Sequence, residues 1–80
     1  MRTTVDKLSA GQQARVVALE GGRGMQARLE SMGVRPGKTV EKVSSQLMAG
    51  PITILMDGRQ VAMGRGIARR IEVETDLKKA

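Results

Sequence analysis

The segment Pro51-Ile52-Thr53-Ile54-Leu55-Met56-Asp57-Gly58-Arg59-Gln60-Val61-Ala62-Met63 constrains this chain more than any other. Asp-Gly is a preferred two-residue hairpin turn, because both residues tolerate the positive φ that a type I′ turn requires. The flanking residues alternate between apolar and polar, the period of a half-buried strand. A two-residue loop pairs Ile54 with Val61 and Ile52 with Met63, and places those four apolar residues on one face. Turn chemistry and hydrophobic pattern thus predict one register. A chain with this centre is committed to β structure.

Ten glycines divide the chain into short units, as strands joined by tight turns would be. Gln12 to Leu19 predicts a first strand. Ala14, Val16 and Ala18 keep one phase while Val17 and Leu19 take the other, which implies a bulge or burial on both faces. Gly21-Gly22-Arg23-Gly24 opens a loop. Met25 to Met32 then has helical period, with Met25, Leu29 and Met32 at i, i+4 and i+7. Gly33 is placed to end that helix in a left-handed conformation, and Pro36 follows where a helix cannot continue. Pro36-Gly37 has the order of a type II turn. Lys38 to Ser45 is expected as a strand with a poor pattern, and 44–50 as a connection that carries Leu47 and Met48. Gly64-Arg65-Gly66 breaks the hairpin's second strand, Ile67-Ala68-Arg69 can form one helical turn, and Arg70 to Thr75 is a last strand. In it Ile71 and Val73 point inward, Glu72 and Glu74 outward. The count is five strands, one short helix and one extra helical turn. That is too few strands for two full sheets, so a small, partly open all-β barrel is the economical solution, as a single domain over 1–80.

Composition narrows function by what it lacks. The 80 residues include no Cys, His, Trp, Tyr or Phe. No disulfide can staple so small a domain, which implies a reducing compartment. Met1 to Asp6 holds no apolar signal core, and Val16-Val17-Ala18-Leu19 falls far short of the ~20 residues that span a bilayer. A soluble, cytoplasmic protein is expected. Without His or Cys the usual nucleophiles, neutral-pH bases and transition-metal ligands are missing, so neither an enzyme nor a cofactor is expected. Gly21-Gly22-Arg23-Gly24 lacks the Lys and Ser/Thr of a phosphate-cradling loop. Ser31, Ser44 and Ser45 have no activating base to name. Asp6, Glu20, Glu30, Glu41, Asp57, Glu72, Glu74 and Asp76 are hard oxygen ligands, and Glu72, Glu74 and Asp76 would line one face of an extended strand. Their expected role is a solvated face, since tight ferrous sites normally include imidazole or thiolate.

The net charge of +6 admits an acidic protein, nucleic acid or an anionic membrane surface as partner. The basic residues Arg15, Arg23, Arg28, Arg35, Lys42, Arg59 and Arg65 are scattered, with only Arg69-Arg70 and Lys78-Lys79 adjacent. Scattered charge is ordinary solvated surface. With no aromatic side chain to stack on bases, an RNA-associated module is the alternative reading rather than the leading one.

Five features, in order, resemble the FeoA family (ferrous iron transport protein A): Leu8-Ser9-Ala10-Gly11 before the first strand; Arg28-Leu29-Glu30-Ser31-Met32-Gly33-Val34-Arg35-Pro36-Gly37, similar to the family's RL-x-x-MG-x-x-PG segment; Gly50-Pro51-Ile52; the short hairpin; and Ala68 followed by Ile71 and Val73. The match runs from Leu8 to Val73. It implies an SH3-like barrel and a cytoplasmic accessory role for FeoB, the membrane ferrous iron permease with a GTPase domain. The same domain is also found fused to metal-responsive repressors. Lys42 departs from the pattern, standing where family strands often carry an apolar residue. The resemblance supplies no list of binding residues. From the residues themselves, the expected contact is apolar, made by Leu47 and Met48 with the Val34-Arg35-Pro36-Gly37 turn, while Arg28, Arg35 and Arg59 orient an acidic partner. Leu47 and Met48 have an equal alternative as a lid on the core.

Overall fold

The computed structural model describes residues 1–45 and 50–75. Its strands are β1 (Arg2–Thr4), β2 (Gln13–Leu19), β3 (Thr39–Ser45), β4 (Ile52–Met56), β5 (Arg59–Met63) and β6 (Ile71–Glu74). A 3-10 turn covers Val5–Lys7, and two helices, α1 (Arg23–Ser31) and α2 (Arg65–Ala68), cover the connections. The strands form one antiparallel sheet in the order β1-β6-β2-β3-β4-β5. It bends around a single core as the partly open SH3-like barrel that the resemblance implies.

The central hairpin forms as its turn dictates. Asp57 and Gly58 both take positive φ, 54° and 76°. The register pairs Ile54 with Val61 and Ile52 with Met63. Ile52, Ile54 and Met63 are buried and Val61 is half-buried at the margin. Two bulges give the sheet its curvature, because an extra residue on one strand bends it and sharpens the twist. One lies between Val16 and Ala18 on β2, where the apolar phase switches, so that Leu19 comes opposite Ile71. The other lies between Lys42 and Ser44 on β3.

Helix α1 starts at Arg23, two residues before the periodic stretch, and runs to Ser31, with Gly33 closing it in the left-handed conformation that the sequence predicts. Leu29 is fully buried, and Met25 and Met32 pack half-buried against the core. Both bonds of a Schellman cap are present: Gly33 N–H donates to Glu30 O (2.9 Å) and Val34 N–H to Leu29 O (3.0 Å).

Two expectations need correction. The strand count is six, because Arg2–Thr4 pairs with β6, Thr3 opposite Val73. This segment carries Val5 and Leu8 into the core. Lys42 is the second surprise. It occupies an inward position on β3, only 3% exposed. Its stem fills core space while Nζ donates to Leu8 O (2.6 Å) and Asp6 O (3.2 Å), so the buried ammonium has acceptors. Desolvation, reinforced by the charge of Arg65 and opposed by Asp6, pushes its pKa below the ordinary lysine value.

Candidate interaction site

The exposed site residues expected from sequence that the structure describes fall on three elements that the fold brings to one corner. After the Schellman cap the chain turns at Arg35-Pro36-Gly37. Lys38 N–H closes that turn on Arg35 O (3.2 Å), with Gly37 at φ +98° as a type II turn requires. Gly37 N–H donates to Val16 O and Val16 N–H to Lys38 O, both at 2.8 Å, which stitches the turn to β2. The tip of the β4–β5 hairpin is tied to the same turn. Lys38 Nζ bonds the Asp57 carboxylate at 2.6 Å. That hydrogen bond, helped by the positive charges of Lys38 and Arg59, holds the Asp57 carboxyl below its ordinary range against a smaller desolvation effect.

Arg59 leaves the hairpin and folds back over the end of α1. Its Nη2 lies 3.1 Å from the position a Cβ on Gly33 would occupy. Gly33 therefore serves twice, taking the left-handed conformation and leaving room for the guanidinium. Arg28 belongs to the last turn of α1 and is exposed, as are Arg35, Pro36 and Arg59. The guanidiniums of Arg28, Arg35 and Arg59 make no hydrogen bond or ion pair with any described residue.

Val34 does not belong to this surface. It is fully buried beside Leu29, because the Schellman cap turns its side chain inward, so it supports the corner without being offered to a partner. Leu47 and Met48 lie outside the described residues. The residues that the sequence reading missed are Lys38 and Asp57, which couple turn to hairpin. Nothing local marks the pair, since nineteen positions separate them.

Two other features carry less chemistry. A shallow depression of about 170 Å³ on the sheet's outer face is lined in part by Gln13, Thr39, Glu41 and Leu55. It is smaller than the ~300–1,000 Å³ typical of small-molecule sites, and Gln13 and Glu41 contact each other across it (3.4 Å). Glu72 and Glu74 are half-buried rather than fully solvated. Arg2 lies 3.6 Å from Glu72, and the Met1 ammonium bonds Glu74. Asp76 is outside the described residues. Among the described residues no three carboxylates converge as a metal cluster, and no helix is long and apolar enough to cross a membrane.

Comparison with known proteins gives a consistent picture. Residues 3–75 match the model of the FeoA domain. A protein of Methanocaldococcus jannaschii that carries the provisional name Fe(2+) transport protein A is 36% identical over 64 residues, covering 80% of this chain and 76% of that protein. A crystal structure described as an iron uptake regulatory protein (FeoA) superposes with a TM-score of 0.85 at 34% identity, over 92% of this chain and 96% of the other. The solution structure of iron(II) transport protein A from Clostridium thermocellum gives a TM-score of 0.85 at 29% identity, over 91% of this chain and 45% of the other. A manganese-dependent transcriptional repressor shares the fold at 19% identity and a TM-score of 0.84, over 92% of this chain and 41% of the repressor.

Proposed function

This chain belongs to the FeoA domain family, accessory proteins of Fe(2+) transport, and from that premise we propose that it acts in the cytoplasm by binding and regulating a FeoB-type membrane iron permease through protein–protein contact. The observation that supports this most is the corner where Arg35-Pro36-Gly37, the hairpin tip and the end of α1 meet. The guanidiniums of Arg28, Arg35 and Arg59 make no hydrogen bond or ion pair with a described residue, on a frame braced by the Schellman cap and the Lys38–Asp57 bond. Exposed guanidiniums suit an acidic protein surface. They speed encounter and fix orientation, and Arg forms bidentate bonds with carboxylates. Leu47 and Met48 remain in the proposal on sequence grounds alone, as apolar anchors.

The test is a paired melt and titration against the permease in detergent. Arg35→Glu with Arg59→Glu should leave the melting temperature nearly unchanged, because both side chains are exposed, and weaken binding at least about tenfold, or ~1.4 kcal/mol. A double change of Leu47 and Met48 to Ser should weaken binding likewise. Unchanged affinity in the double arginine variant would remove the corner from the proposal. Recovery of RNA in place of the permease, in a complex that survives physiological salt, would replace the reading with the nucleic-acid one.

A further inference from the structure

The described sheet ends at β5, which pairs with β4 on one side and with no other strand among the described residues. The two-residue type I′ turn decides which backbone groups this leaves over. The pair flanking such a turn is hydrogen-bonded, so Met56 with Arg59, Ile54 with Val61 and Ile52 with Met63 exchange their bonds. The N–H and C=O of Gln60 and Ala62 then point away from β4. No backbone partner meets them among the described residues. Both residues are exposed.

Natural sheets blunt such an edge with Pro, an outward charge, a bulge or a covering element. Residues 60–63 carry no charge and no Pro, and the β4–β5 register runs without a bulge. The one charged residue of β5, Arg59, turns its guanidinium back over Gly33. Among the described residues the edge is therefore open from Gln60 to Ala62.

We propose that the β5 edge accepts an extended, acidic segment of a partner protein as an added strand. The charge of the chain selects the occupant. Its net charge is +6, and from residue 50 to residue 71 the only carboxylate is Asp57, which Lys38 holds. An acidic strand meets complementary charge as its main chain extends the ladder. A second copy of this chain is disfavoured, since each brings a net charge of +6. This surface goes beyond the transport reading and does not depend on it.

Amide exchange of the 15N-labelled full chain tests the proposal. In the free protein Gln60 and Ala62 should exchange quickly, Val61 and Met63 slowly. A ten-residue peptide of alternating Val and Glu, at about 1 mM so that even millimolar affinity registers, should slow Gln60 and Ala62 several-fold, and its Val–Lys counterpart should not. Ala62→Pro removes the outward donor and should abolish the protection. Ala62→Asp keeps the backbone, repels the acidic strand and should abolish it too, so the outcome does not hang on the proline variant folding. Protection of Gln60 and Ala62 in the free chain, equal protection by both peptides, or protection by neither would each overturn the proposal. Protection that appears with protein concentration alone would assign the edge to self-association instead.

Discussion

The two margins of this sheet share one core and are finished in opposite ways. At β1 the strand is three residues long, the Met1 ammonium bonds Glu74, and Arg2 faces Glu72. The chain then folds under itself, with Val5 and Leu8 in the core and the carbonyls of Asp6 and Leu8 gripped by Lys42. At β5 the strand is five residues long, uncharged beyond Arg59, and exposed at Gln60 and Ala62. Both edges present unpaired main chain to begin with. Burial and hydrogen bonds tie the first margin to β6 and the core; the second is the proposed docking edge. Stability should accordingly be concentrated on the β1 side and recognition on the β5 side.

The largest expected effect is on the closed margin. Leu8→Ala deletes a buried side chain from the segment that joins β1 to β2 and should destabilise the domain by about 2–5 kcal/mol. Urea denaturation would measure it. A loss below ~1 kcal/mol would mean that the N-terminal segment is an accessory strap and not part of the core.

Lys42→Met keeps the apolar stem and removes both donors. Stranding the carbonyls of Asp6 and Leu8 should cost about 1–3 kcal/mol. The same residue makes a signed pH prediction. Its folded-state pKa is lowered, chiefly by desolvation, so just below the ordinary value of 10.5 the unfolded chain binds more protons than the folded one. Stability contributed by this group should therefore rise with pH across that window, since folding favours the neutral amine, which still has two hydrogens to donate. The Met variant should lose this rise. A wild-type contribution that falls with pH there would reverse the account of Lys42 as a desolvated group.

The smallest expected effect lies on the open margin. Gln60→Lys should change stability by less than about 0.5 kcal/mol, as exposed substitutions away from special features do. A larger loss would show that β5 is already covered and would erase the contrast between the margins.

What the sequence made legible was local. Asp57-Gly58, Pro36-Gly37 and Gly33 each declare a backbone conformation through one or two residues, and each conformation is present. The phase change at Val17 admitted a bulge or burial on both faces, and the bulge is what β2 has. What stayed hidden depended on distant chain. Arg2-Thr3-Thr4 has no strand pattern of its own and becomes β1 only against residues 72–74. Lys42 reads as an outward charge until carbonyls some thirty-five positions away are seen to accept its hydrogen bonds. At the candidate site the exposed arginines were identifiable from charge alone. That Arg59 rests on Gly33, and that Lys38 anchors Asp57, are contacts between elements that no local pattern announces. Val34 misled for a related reason: between Gly33 and Pro36 it looks like turn surface, yet the cap that Gly33 makes possible swings it inward.

The pairing of β1 with β6 also has a mechanical meaning. Arg2 lies opposite Glu74, and Thr75 N–H donates to Met1 O at 3.0 Å, so both ends of the described chain leave the sheet side by side. Tension applied through those two points would run perpendicular to the antiparallel strands, along their hydrogen bonds. It would open the ladder one pair at a time like a zipper, instead of loading every bond together in shear. A domain held at those two points is a compliant link under force, yielding first at the β1 margin.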